Sequence, residues 1–147
     1  MIGFGEAIGL FFRNYVKFEG RASRAEFWWS ALFQIIVYVI LFILAGIAEG
    51  FSGTAGDDDL SGLAAIFLLL MVFFYFLCWL PGLSIKIRRF HDLDQSGWLV
   101  LLFIIANALV FVSWFAQMIW YAMPGTKGPN QYGADPYAID FNAEIFG

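Results

Sequence analysis

"FLLLMVFFYFLCWLPGLSIKIRRFHDLDQSGW", residues 67–98, passes directly from an unbroken apolar run into a cluster of arginine, histidine and aspartate. Each half suits a different solvent, so the stretch reads as a helix leaving hydrocarbon for water. Two further apolar segments of similar length lie on either side of this boundary. The three segments run from Phe27 to Ala48, from Leu63 to Ile85 and from Trp98 to Met123. Each exceeds the roughly 20 residues that cross about 30 Å of hydrocarbon. No Asp, Glu, Lys or Arg interrupts their interiors, and the polar exceptions that could matter are Gln34, Asn107, Ser113 and Gln117.

Composition agrees with this pattern. Of 147 residues, 61% are hydrophobic and only 14% charged, against roughly 45–50% and about 25% in ordinary soluble domains. Eighteen Phe and six Trp are more aromatic mass than one small core buries, and the surplus suits a lipid-facing surface. Trp28, Trp29, Trp98, Trp120 and Tyr121 fall near the ends of the segments, where an aromatic belt sits. A net charge of −4 argues against nucleic acid as a partner. The single cysteine, Cys78, lies inside an apolar run and reads as a small buried hydrophobe.

These features predict an all-α integral membrane protein: an interfacial amphipathic helix over about residues 2–17, then three apolar segments at 27–48, 63–85 and 98–123. One membrane domain is expected to cover residues 1–136, with a Gly/Pro-rich tail over 124–147. The opening "MIGFGEAIGLFF" does not fit a cleaved signal, because Arg13 and Lys17 follow its apolar part and no small-residue site closes it. The third segment has two readings, a single tilted crossing or a re-entrant hairpin broken near Asn107 or Ser113. A single crossing is the simpler, because an unpaired backbone break is expensive in lipid.

Orientation follows from the basic residues. Arg13, Lys17, Arg21 and Arg24 precede the first span, Lys86, Arg88 and Arg89 follow the second, and "EGFSGTAGDDDLSG" between those spans has none. The positive-inside rule places the N-terminus and the turn at 86–98 in the cytoplasm, with Asp57, Asp58 and Asp59 outside. The chain is then expected to be a multi-pass membrane protein with a cytoplasmic N-terminus.

"GRASRAEFWW", residues 20–29, has the form of a capping box, with Ser23 as N-cap and Glu26 three residues on. Pro81 and Gly82 predict a kink that directs "SIKIRRFHD" away from the second span. Beyond it, Ser96 and Gly97 suit the start of the third segment. Arg88, Arg89, His91, Asp92 and Asp94 are placed to pair with one another or with Arg21, Arg24 and Glu26, forming a salt-bridged cytoplasmic cap. One histidine with two carboxylates from one short loop is a weak metal signature, and Ser96 has no partners that would make it a nucleophile. No enzyme, cofactor or metal is therefore expected. The tail "PGTKGPNQYGADP", residues 124–136, is turn chemistry, either docked or free.

Taken together, "FEGRASRAEFWW", "RRFHDLDQSGW" and "PGTKGPNQYGADP" resemble the signature blocks of the YhaH-like family of small bacterial inner-membrane proteins, a family without assigned function. The resemblance extends from about Val16 to Pro136. It implies a few membrane helices and singles out Gly20, Arg21, Arg24, Glu26, Trp28, Arg88, Arg89, His91, Asp92, Ser96, Gly97, Trp98, Gly125, Gly128, Asn130, Gly133 and Pro136. Relatives often carry a Pro-Gly pair in mid-segment three, which favours a hairpin, where this chain has "IIANALVFVSW" at 104–114.

Three functions fit. An accessory or scaffold subunit would bind a larger membrane complex, or itself, through helix faces. A small oligomeric channel or transporter would have to rely on Gln34, Asn107, Ser113 and Gln117. Recognition of anionic membrane lipids would use the cytoplasmic cluster. The residues expected to touch a lipid or partner are Arg21, Arg24, Glu26, Arg88, Arg89, His91, Asp92 and Trp98.

Overall fold

A computed structural model describes residues 2–52, 61–109 and 113–137 of the chain. Asp57, Asp58 and Asp59, expected at an outer turn, lie outside the described residues. Those described form five helices: α1 (Phe4–Arg13), α2 (Arg24–Ser52), α3 (Gly62–Asp92), α4 (Leu99–Leu109) and α5 (Ser113–Ala122).

The two long helices carry the architecture. Ser23 accepts the Glu26 amide at 3.1 Å, satisfying one of the free donors at the start of α2. Ser61 does the same for Ala64 at the start of α3. The helices are antiparallel: Glu49 near the end of α2 accepts the amide of Ser61 before α3, while Glu26 at the start of α2 pairs with Arg88 near the end of α3. Phe33 and Tyr38 set their rings against Phe74 between them. Both helices are long and apolar enough to cross a membrane, and only 11% of the most apolar window of each is buried within the protein. Among the described residues, nothing covers their outer surfaces.

Helix α3 differs from expectation at its far end. The stretch 86–92 was expected to belong to a loop beyond the second span, but the helix continues through Pro81 to Asp92. Proline has no N–H, so the carbonyl four residues earlier loses its helical donor. That carbonyl belongs to Leu77, and the Tyr15 hydroxyl donates to it at 2.6 Å. Three residues beyond the proline, the Ser84 hydroxyl meets the carbonyls of Asn14 and Lys17. The turn after α1 is thus fastened to α3 on either side of the proline. At about 1.5 Å per residue, the 31 residues of α3 span roughly 46 Å, so its last turns extend beyond a ~30 Å slab.

Helix α1 buries Ala7 and Phe11. It packs on α2 through the Phe4–Trp29 and Phe12–Phe33 ring pairs.

Of the two readings of residues 98–123, the helices follow the hairpin and not the simpler single continuous helix. Helices α4 and α5 lie side by side and antiparallel, with Phe103 against Trp120 near one end and Asn107 bonded to Gln117 at 3.0 Å further along. The polar residues of this otherwise apolar segment explain how. Ser113 donates to Asn107, Asn107 to Gln117, and Gln117 to the Tyr121 hydroxyl at 2.8 Å. Polar groups with no water nearby must find one another, and only an antiparallel pair lets these four do so. Residues 110–112, which join the two helices, are outside the described residues.

Candidate functional site

The ends of α3 and α5, the start of α2 and the tail meet in one polar cap. Its centre is Asp92, fully buried in the last turn of α3. One carboxylate oxygen accepts the Nε of Arg21 at 2.9 Å, and the other pairs with Arg89, also fully buried. Two guanidiniums on one carboxylate leave many N–H groups unsatisfied. Arg89 gives its own to the carbonyls of Tyr121 and Met123 at the end of α5. These carbonyls have no helical partner and carry the negative end of the helix dipole, so a cation suits them. Arg21 gives its own to the carbonyls of Thr126 and Gly128 in the tail, at 2.5 and 2.6 Å.

A second buried pair stands beside the first. Arg88 donates to Glu26 at 2.5 Å, and its backbone carbonyl accepts the amide of Ala22 at 3.1 Å. The Arg88 Nε is buried without an acceptor among the described residues. Glu26 was expected to reach back to the Ser23 amide as the other half of a capping box. Its carboxylate pairs with Arg88 instead, because a guanidinium brought alongside is the stronger donor.

The same cap holds the described part of the tail. Thr126 donates its amide to the Asp92 carbonyl at 2.9 Å, and Asn130 reaches the His91 carbonyl at 2.9 Å. The His91 ring stacks on Tyr132 with centroids 3.9 Å apart, and its Nδ1 lies 3.2 Å from the Gly20 carbonyl. Gly20 takes φ +84°, which turns that carbonyl toward the ring in a conformation other residues resist. Gly125 lies so close to Asp92 that an added Cβ would fall 2.6 Å from the carboxylate carbon. Burial holds the His91 imidazole below its ordinary value. Asp135 accepts the amides of Tyr137 and Gly128, which hold its carboxyl below the usual range.

The residues expected to meet a lipid or partner therefore divide. Arg21, Glu26, Arg88, Arg89 and Asp92 are buried and engaged with one another. Each has a protein partner, as the salt-bridged cap requires. His91 is half-buried under Tyr132. Arg24 and Trp98 remain outside, Trp98 at 77% exposure. His91, Asp92 and Asp94 do not converge as a metal site would require, since Asp92 is occupied by arginines and Asp94 bonds Gln131.

Sequence reasoning missed the Tyr132 stack and the Tyr15 hydroxyl. Only the second had a signal, since a proline inside a long helix always frees a carbonyl.

The arrangement defines an all-helical protein with two membrane-length apolar helices, an α-hairpin and an ion-paired cap that gathers four separate stretches of chain. Residues 15–134 match the family described as "Protein of unknown function (DUF805)", and the chain belongs to that family. It is 34% identical over 124 residues to "Inner membrane protein YhaH" of Escherichia coli K12, covering 84% of this chain and 90% of that one. It is 35% identical to "Inner membrane protein YhaI" of the same strain, covering 84% and 89%. "Uncharacterized protein YiiR", also from that strain, is 28% identical over 150 residues, covering 87% of this chain and 91% of that one. No solved structure matches the chain.

Proposed function

We propose that this is a multi-pass protein of the bacterial inner membrane that serves as a non-enzymatic accessory or scaffold subunit of a larger membrane assembly. Membrane placement is supported by the two long apolar helices and by the names of the E. coli relatives. In this reading α2 and α3 cross the bilayer and α4–α5 dips in and returns. The N-terminus, the α3–α4 turn and the tail then share the cytoplasmic side, α1 lies along the interface, and residues 1–136 form a single membrane domain.

The observation that carries the accessory role is the commitment of the conspicuous charges to shape. Arg21, Arg88, Arg89, Glu26 and Asp92 hold the cap together, and their burial leaves them no free edge for substrate chemistry. Buried ion pairs add little net stability, and their best-attested use is to fix one arrangement. A cap fixed in this way presents a constant surface above two helices whose apolar flanks are bare.

The test is photo-crosslinking in native membranes from positions on the bare flanks, Phe42 and Phe76, which are 68% and 67% exposed. A single stoichiometric protein adduct is expected from one flank. A chain that crosslinks to lipid alone and purifies as a lone monomer would end the accessory reading.

A further inference from the structure

Arg24, first residue of α2, is the arginine that the cap leaves over. Among the described residues no carboxylate pairs with its guanidinium, and the side chain is exposed. Its surroundings have a surplus of positive charge: Arg21 and Arg89 share Asp92, and Arg24 lies close enough to Arg89 to be repelled by it. Asp135, held near Arg21 through Gly128, offsets only part of this.

Arg24 stands at the mouth of an open groove of about 430 Å³ lined by Ala25, Trp28, Trp29, Leu32 and Ala122. The groove exists because Ala25 and Ala122 are small where the start of α2 passes the end of α5. Its volume lies within the roughly 300–1,000 Å³ of small-molecule sites. Its walls are apolar and lead along α2 into the bare run beyond Leu32.

We infer that this groove binds one anionic phospholipid, with the headgroup phosphate on Arg24 and an acyl chain laid over Trp28, Trp29 and Leu32. Guanidinium offers a phosphate two parallel N–H donors. The two tryptophans sit where an interfacial belt would, at the level of headgroups. A free inorganic anion would use Arg24 and leave the apolar walls wet, so the lining selects an amphiphile. The inference rests on the proposed membrane placement and not on the accessory role.

The test is native mass spectrometry of the full chain, purified from the membrane fraction, delipidated and titrated with phosphatidylglycerol or phosphatidylcholine. The wild type is expected to retain one phosphatidylglycerol with roughly fivefold preference, the scale of one basic residue at an anionic surface. Arg24→Gln should abolish that preference and Arg24→Lys keep part of it. Arg13→Gln, the same loss of charge at another exposed position, should leave it intact. Equal retention of the two lipids by the wild type, an unchanged preference in Arg24→Gln, or an equal loss in Arg13→Gln would overturn the site. A chain that alkaline carbonate strips from the membrane would overturn the placement as well, which separates the two failures.

Discussion

Asp92 is the residue on which the cap turns, because two buried arginines depend on it. Replacing it with Asn keeps the size and removes the charge, leaving Arg21 and Arg89 facing each other without an anion. Breaking a buried pair in this way typically costs about 3–5 kcal/mol. Asp92→Asn should therefore lower the melting temperature in detergent far more than Arg24→Gln, since the Arg24 side chain pairs with no carboxylate among the described residues. Equal melting of the two variants would contradict the cap. His91 gives the cap a pH dependence of known sign. Its native value lies below the ordinary one near 6.5 because burial disfavours the imidazolium. The native state thus binds this proton less readily than the unfolded chain. The associated stability is complete above about pH 6.5 and is lost as the pH falls through the lower native value. Thermal melts taken downward from about pH 8 should show this decline, and His91→Gln should flatten it.

Among the elements, α3 and the α4–α5 hairpin show what could be read from sequence and what could not. The apolar runs of α2 and α3 were legible because their length and lack of charge have one explanation. The pairing of the charged stretches was legible in kind, since Arg21, Glu26, Arg88 and Asp92 had no other partners at hand. The hairpin was legible only as one of two readings, marked by Asn107 and Ser113, because what decides for it includes a contact far along the chain, Arg89 holding the end of α5, beside the local bonds among Asn107, Ser113 and Gln117. Apolar length alone favours one span. Two substitutions test these causes. Tyr15→Phe should destabilise the wild type by about 1–3 kcal/mol by orphaning the Leu77 carbonyl. It should do much less in a Pro81→Ala background, where the helix regains its own donor. Denaturation of the four chains in this double-mutant cycle measures the coupling, and none would mean that Tyr15 and Pro81 act independently. Asn107→Leu removes the bonds that Ser113 and Gln117 make to this side chain and should loosen the hairpin, seen as a lower melting temperature in detergent.

Across the whole molecule, the hairpin sets where the tail lies. In a Cys78→Ala background, single cysteines at Lys17, Gln95 and Lys127 should all react with an impermeant thiol reagent from the cytoplasmic side, and one at Leu63 from the opposite side. Lys127 reacting together with Leu63 would restore the single crossing. The reach of Arg21 and Arg89 across the chain, to carbonyls at Tyr121, Met123, Thr126 and Gly128, also bears on the order of synthesis. Until those carbonyls have left the ribosome, the two guanidiniums have only Asp92 between them, and a net positive charge remains. Under the proposed membrane placement, that charge would act during the interval as a retention signal, holding the start of α2 and the end of α3 on the side where the chain is made. Once residues 121–128 arrive, the same charges are withdrawn from water and become internal struts. Under the proposed placement, insertion would be guided by groups that the folded cap conceals, and closure of the cap would wait for residues 121–128 to emerge.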